Sequence, residues 1–413
     1  MSKKKFLSAA VLSTAMLLAA CGTDEKASGT PEKKKVVEQT EEKAKTEDSS
    51  KEKEKETKAS AGKGEVLNPN IAEESEGNVE VIYTNKEPNY SHDMNGFKVT
   101  VDEYQITKVT DMHRDVTIPF DDQTDGYVVT SKVTIHNTLD KPMYYNNIHR
   151  IQLTSASDYI PDRITFVRDV RPKSQKETET SKYAAGEKVT GLMTFTLTNE
   201  DFETLKTVAP KYIIEGGVSE NNTYAGSFRG DATFDFTYSE EQAAAVASAP
   251  KYYPDRLTND NWVEKKMIFE KNEINETKQI DKVNITLDGV QYTDIIPTEA
   301  NKDRFRNFGD VELASLTAKF KVENQTDAPI TIRNISNILV VDDNRARFLS
   351  TMADAQSTDE IAPGASGEKY LTYIFRKDEF GLYKKFDLEF GPFIRQDGRD
   401  DFKGNTATFT LPR

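Results

Sequence analysis

The sequence predicts an all-β protein: two tandem β-sandwich domains behind a signal peptide and a disordered, charged tether. Three observations carry this. Apolar and polar residues alternate at period two through Val133 and Ile135, Phe320 and Val322, Phe234, Phe236 and Tyr238, and Phe409 and Leu411, as strands with one buried face require. Polar clusters holding Asn, Asp and Pro separate these runs, and helical periodicity is scarce. The third observation is an internal repeat covering most of the chain beyond residue 79.

At the N-terminus, Lys3-Lys4-Lys5, the apolar run from Phe6 to Leu17 and the small residues Ala19 and Ala20 form the three parts of a secretory signal over residues 1–20. Ser8, Ser13 and Thr14 interrupt the run, and it falls short of the roughly 20 apolar residues of a spanning helix. Leu18-Ala19-Ala20-Cys21 resembles the lipobox of bacterial lipoproteins. That resemblance implies cleavage between Ala20 and Cys21, with a diacylglycerol on the Cys21 sulfur, and two acyl chains suffice for stable anchoring. Cys21 is the only cysteine among 413 residues, so its lipidation leaves no thiol for a disulfide, a nucleophile or a thiolate metal site.

From Cys21 to residue 78 the sequence reads as a tether. Glu41-Glu42-Lys43 and Lys51-Glu52-Lys53-Glu54-Lys55-Glu56 alternate sign with almost no aliphatic residue to offset chain entropy. A flexible coil of this length spans roughly 40–45 Å, enough to lift a folded body clear of lipid headgroups. The whole chain carries a formal charge of -14, and removal of Lys3, Lys4 and Lys5 with the signal makes it more negative still. Such a body repels nucleic acid, so no nucleic-acid partner is expected.

The repeat is read from anchors in one order. Lys132-Val133-Thr134-Ile135-His136-Asn137 returns as Lys319-Phe320-Lys321-Val322-Glu323-Asn324, each followed by a polar turn ending in Pro142 or Pro329. Val99-Thr100-Val101-Asp102 returns as Ile285-Thr286-Leu287-Asp288, and Ile82-Tyr83 as Ile268-Phe269. Ala185-Gly186-Glu187 meets Pro363-Gly364-Ala365, Phe202 meets Phe380, and Ala232 to Phe236 meets Ala407 to Leu411. Asp342 to Arg345 is a hairpin turn whose counterpart is Ser155 to Asp158. The repeats are placed at 79–239 and 266–413, each long enough to bury a core. Between them, residues 240–265 form a connector. Ser239-Glu240-Glu241-Gln242 matches a capping box, Ala243 to Ala247 propagates a short helix, and Pro250 stops it. Trp262 is expected to plug the seam between the domains.

This pattern, with "Val-Thr-Ile-His-Asn" or "Phe-Lys-Val-Glu-Asn" on a strand and "Ala-Gly-Glu" or "Pro-Gly-Ala" before the strand at Leu192 to Leu197, resembles the immunoglobulin-like, telokin-type domains of Gram-positive surface lipoproteins. These are domains of unknown function. The resemblance implies lipid anchorage at the outer face of the cytoplasmic membrane, and it brings no catalytic residues. The first repeat departs by having more residues between the hairpin turn and the Gly turn.

Candidate chemistry is sparse. Asp111, His113 and Asp115 would share one face of an extended segment. His136 falls on the solvent face of its strand, while His92 and His149 lie in or beside loops. Asp121, Asp122 and Asp125 lack the ligand spacing of a calcium loop. No Gly-x-Ser-x-Gly elbow or phosphate loop is present, so neither an enzyme nor a cofactor or metal is expected. In the longer loop of the first repeat, Arg163, Arg168, Arg171, Lys173 and Lys176 gather on an otherwise acidic body. They are the candidate binding loop for an anionic wall polymer or an acidic partner, against the alternative of a mobile polar excursion. Ile164, Phe166 and Val167 suggest that Ile160 to Val170 packs in part as a strand. The expected role is a membrane-anchored, non-catalytic binding or scaffold module of the cell envelope. A structural or regulatory subunit of a membrane protein is the alternative, and a metal-dependent hydrolase the remote one.

Overall fold

The computed structural model describes residues 64–333, 335–350, 353–355, 360–394 and 398–413. The signal, Ala20, Cys21 and the tether up to Lys63 lie outside them. The described residues form one compact unit.

The first repeat contains strands β1 (Asn78–Asn85), β2 (Tyr90–Met94), β3 (Phe97–Thr110), β4 (Gly126–Asn137), β5 (Met143–Tyr144), β6 (His149–Ser155), β7 (Asp158–Pro161), β8 (Lys182–Tyr183), β9 (Lys188–Leu197), β10 (Lys211–Ile214) and β11 (Ala232–Asp235). The second contains β12 (Val263–Lys271), β13 (Glu276–Ile280), β14 (Val283–Pro297), β15 (Leu313–Asn324), β16 (Ile330–Thr331), β17 (Ile335–Val341), β18 (Ala346–Leu349), β19 (Glu360–Ile361), β20 (Ser366–Arg376), β21 (Phe386–Phe393) and β22 (Ala407–Leu411). In the first repeat a long sheet β1-β3-β4-β9, with β2 also on β3, faces a short sheet β11-β10-β6-β7, and β5 pairs β8. The second repeats this as β12-β14-β15-β20 with β13 on β14, then β22-β21-β17-β18, and β16 with β19. The expected all-β sandwich architecture is therefore present, and the internal repeat is a repeat of topology.

Each sandwich buries its own apolar core. Phe97, Val99, Ile135, Phe195, Tyr212 and Phe236 meet in the first, and Ile285, Phe320, Leu339, Tyr373, Leu388 and Phe409 in the second. The shared asparagine has a mechanical reason. Asn137 donates from Nδ2 to the carbonyls of Lys141 (2.8 Å) and Ala184 (3.0 Å), and Asn324 does so to Ala328 (2.8 Å) and Ile361 (2.9 Å). In both repeats it ties the turn after a central strand to the turn before the edge strand. The β17–β18 hairpin turns through Asp342, Asp343 and Asn344, all left-handed, a conformation that short polar side chains tolerate best.

The tether was expected to run to residue 78, yet residues 64–77 are folded. Helix α1 (Asn70–Ser75) buries Ile71 completely among Val79, Val109, Met112, Phe120, Val128 and Phe166, on the outer face of the long sheet. Gln105 holds this lead-in, accepting from Leu67 N (2.9 Å) and donating to Glu65 O (3.0 Å). Val66, Leu67 and Ile71 supply apolar surface that the Lys/Glu stretch lacks.

The second repeat has the same lead-in. Gln291 accepts from Tyr253 N (2.7 Å) and donates to Lys251 O (2.9 Å), and Leu257 takes the place of Ile71 in a cluster with Trp262, Val263, Ile295, Phe305, Leu313 and Ala353. The segment read as a connector over 240–265 is thus largely the start of the second repeat. Its remaining part is helix α2 (Glu240–Ser248). Ser239 caps that helix by accepting from Gln242 N (3.1 Å), but the Gln242 side chain turns to Phe236 O instead of completing the box. Trp262 is buried within the second repeat's own cluster, between the guanidiniums of Arg256 and Arg304, each 4.6 Å from the ring. Its neighbour Asn261 meets the first repeat.

Two further expectations are corrected, and one is met in part. Asp111 is left-handed and His113 caps a 3-10 turn at Arg114–Val116, so Asp111, His113 and Asp115 do not share an extended face. The 160–170 segment is strand in part, as expected: Ile160 and Pro161 end β7 and Arg163 bridges Thr194, and the chain between and beyond turns to plug Phe166 into the outer cluster. The long loop is no mobile excursion. Glu187 Oε1 accepts from the amides of Gln175 (2.8 Å) and Lys176 (3.1 Å), and Oε2 from Ser174 Oγ (2.6 Å) and Ala184 N (2.8 Å).

Candidate functional site

The seam between the sandwiches is built from amides. Gln152, on the outward face of β6, donates to Asn259 O (2.9 Å) at the end of helix α3 (Arg256–Asn259). Asn261 donates back to Leu153 O (2.7 Å), and Asn301 donates to Thr154 O (3.4 Å) and Asn261 O (3.2 Å). The short sheet of the first repeat therefore sits on the lead-in of the second. Beside these bonds lies a cleft of about 780 Å³. One wall is the outer face of the first short sheet, with Arg150, Ile213, Asp231 and Thr233. The other is the start of β20 and its neighbours, with Glu360, Gly367, Glu368 and Tyr370.

Most charges in the cleft are matched. Arg150 pairs with Glu215 and with Asp231 (2.9 Å). Arg256 pairs with Asp260 (2.7 Å) while lying on the Trp262 ring. Glu368 accepts from Tyr370 Oη (2.6 Å) and pairs with Lys319 (3.1 Å). Behind the Pro254–Arg256 wall lies a buried ionic group. Asp255 is fully buried, pairs with Lys265 and accepts from Thr258 N (3.0 Å) and Thr317 Oγ1 (3.1 Å). Burial pulls the Lys265 ammonium down, and Asp255 opposes that shift. Asp354 bridges to Asp255 through the backbone. Its carboxyl is pushed up to about 6 by burial, against the Thr372 amide (2.7 Å) and Lys369. Burial likewise lowers Lys369, whose ammonium donates to Arg333 O (3.2 Å). This group holds the lead-in, the 353–355 segment and β20 together; its chemistry is that of a fastening.

The structure places the predicted basic loop elsewhere. Arg163, Arg168, Lys173 and Lys176 are exposed on the segment that runs along β9. Arg171 is committed to Asp162 (2.6 Å) and to Arg163 O (2.9 Å). Arg171 and Lys173 line a smaller hollow of about 360 Å³ together with Glu177, Glu179 and Lys182, and Lys182 pairs with Glu177 (3.1 Å). The loop thus offers less free positive charge than its composition suggests. Among the histidines, His149 is fully buried, with Nδ1 2.9 Å from Tyr212 Oη and Nε2 3.1 Å from Asn147 Oδ1. His92 Nε2 lies 2.9 Å from Gly230 O, and burial holds its pKa below the ordinary value. Among the described residues no group of three or more His, Cys, Asp or Glu side chains is arranged to hold a metal ion.

Sequence reasoning missed Gln105 and Gln291, Asn261 and Asn301, and Glu187. The glutamines were detectable, because Gln105-Ile106-Thr107 and Gln291-Tyr292-Thr293 continue the repeat in register. Glu187 had a weaker signal, an acid in the repeat with the longer loop where the other has Ala365. The seam asparagines carry none, since nothing local marks which loop meets the neighbouring sandwich.

Comparison with known proteins adds the following. No curated protein matches the chain. A functionally unknown protein from Listeria monocytogenes EGD-e is similar at 17% identity over 41% of this chain and 93% of its own, with a TM-score of 0.35. A conserved hypothetical protein from Bacillus anthracis is similar at 17% identity over 32% of this chain and 96% of its own, with a TM-score of 0.23. An uncharacterised β-sandwich protein from Clostridium difficile 630 is similar at 13% identity over 36% of this chain and 99% of its own, with a TM-score of 0.23. Residues 40–239, which take in the first repeat and stop where it ends, match a family described as a domain of unknown function, DUF5068.

Proposed function

We propose that this chain is a lipid-anchored, extracytoplasmic binding module of the cell envelope with no catalytic role, and that it takes an envelope protein in the cleft between its sandwiches. The observation that carries the reading is the cleft itself, about 780 Å³ and lined from both repeats. Most of its charged groups are already paired, a composition suited to recognition more than to proton transfer or nucleophilic attack. Anchorage at Cys21, after cleavage at Ala20, is supported by the basic start, the short apolar run and the Leu-Ala-Ala-Cys ending. The charged segment that follows would give the module its reach from the membrane.

Photocrosslinking in cells tests this directly. Probes at Ala156 and Glu360, both at the cleft, are expected to capture one envelope protein, and a probe at Lys173 is expected to capture none. Capture of wall fragments from Lys173, with nothing from the cleft, would move the site to the loop. In that case, replacing Arg163, Arg168, Arg171, Lys173 and Lys176 together should weaken retention on purified anionic wall polymer. Mass spectrometry of the mature protein tests the anchor, with a diacylglyceryl Cys21 as the expected N-terminal residue.

A further inference from the structure

The two repeats treat the same sheet edge differently. In the first, the outward backbone of edge strand β9 is covered by the chain's own segment. Arg163 N donates to Thr194 O (2.8 Å) and Leu192 N to Val170 O (2.8 Å), so Leu192 and Thr194 present their backbone groups outward. Gly191 immediately precedes Leu192, and a Cβ there would run into Val170 O, Arg171 C and Pro172 N, which is how closely the covering segment passes. In the second repeat the matching edge is β20. Lys132 pairs with Leu192, and Lys319 pairs with Tyr370, so Tyr370 is the counterpart of Leu192 and Thr372 that of Thr194.

Register then fixes which groups face out. Thr372 N donates to the Asp354 carboxylate (2.7 Å), confirming that even-numbered residues of β20 face away from β15. Glu368 and Tyr370 have the same parity, and among the described residues no backbone group pairs with their outward N–H and C=O. Both residues line the cleft. An unpaired strand edge opening on a hollow is a template for another strand.

We propose that the β20 edge at Glu368 and Tyr370 takes an extended, basic peptide of a partner protein by strand addition, as β9 takes the 163–170 segment of this chain. The inference rests on the cleft being the ligand site and names the chemistry of its occupant. The charge follows from what the pairing leaves over: Arg150 is shared by Glu215 and Asp231, Lys319 by Asp288 and Glu368, and among the described residues Glu360 pairs with no cation, so the walls keep a net negative charge. The occupant pairs its backbone in the plane of the sheet. It cannot cross the strand as the covering segment does in the first repeat, because buried Lys369 stands where Gly191 does.

The test uses the full chain and a decapeptide of alternating lysine and threonine. Saturable binding by calorimetry is expected, and methylating the peptide nitrogens on its pairing edge should weaken it about tenfold or more, as loss of backbone hydrogen bonds requires. A decapeptide of alternating glutamate and threonine should not bind. Glu368→Pro removes one outward N–H that the β14-β15-β20 ladder does not use, and Glu368→Gln removes the same charge but keeps that N–H, so the proline variant should lose the lysine peptide more completely than the glutamine variant. Should the proline variant unfold, the N-methylated peptide on the wild-type chain still decides. Equal binding of the methylated and plain peptides would overturn strand addition and leave a purely electrostatic cleft. Absence of any peptide binding, with a protein still captured from Ala156 and Glu360, would overturn the peptide inference alone. Failure of those crosslinks would remove the cleft reading beneath it.

Discussion

His149 shows how a single buried side chain sets a pH dependence. With Asn147 Oδ1 accepting from Nε2, the ring is neutral and Nδ1 accepts from the Tyr212 hydroxyl. Burial, then Arg171 and His92, pull its pKa from 6.5 to about 3. A depressed folded value means that its stabilisation is present above 6.5 and lost as pH falls towards 3. Asp354 acts in the opposite sense. Raised from 3.8 to about 6, it favours the folded state when protonated, so its contribution is complete below 3.8 and lost as pH rises through 6. Between about pH 6 and 4 the two slopes, each up to about 1.4 kcal/mol per pH unit, oppose each other, so urea midpoints should change little there from these two groups. His149→Gln should make the midpoint rise as pH falls from about 6 to 4, and Asp354→Asn should make it fall over the same range. The lead-in glutamine gives a second expectation at this scale. Gln291→Ala leaves Tyr253 N and Lys251 O without their partner, at a cost of about 1–3 kcal/mol. Proteolysis should then begin between Lys251 and Trp262.

At the scale of elements, the repeats differ most in what covers their outer edges. The covering segment of the first repeat is ordered by Glu187. Burial alone would raise that carboxyl, but the bonds from Ser174, Ala184, Gln175 and Lys176 outweigh it and bring it below the usual range. Gly191→Ala should force the segment away from β9, costing about 1–3 kcal/mol by overpacking. Amide exchange at Leu192 and Thr194 should rise before the rest of the sheet responds. Glu187→Gln should loosen residues 174–184 while leaving the β3-β4 ladder protected, which exchange on the same samples would show.

The whole molecule depends on a seam with few apolar contacts. Gln152, Asn261 and Asn301 join the sandwiches through amide-to-carbonyl bonds, so the junction is directional but thin compared with either core. Asn261→Ala with Asn301→Ala should leave the Leu153 and Thr154 carbonyls wanting partners and uncouple the halves. Calorimetry is expected to resolve two thermal transitions in that double variant where the parent shows one. Crosslinking from Ala156 and Glu360 should weaken in parallel, because the cleft walls belong to different sandwiches.

Period-two alternation, a polar turn at each shared asparagine and an in-register repeat were enough to determine strands, sandwiches and their duplication, because each is written within a few residues of itself. The lipobox-like ending is equally local. Partner choice among distant groups was decided only by the tertiary structure. It folded residues 64–77 onto Gln105, tied Arg171 to Asp162, made Glu187 the organiser of its loop and opened the cleft between Arg150 and Tyr370. Such pairings depend on which loops converge once two sheets twist and pack, and no spacing along the chain encodes that convergence.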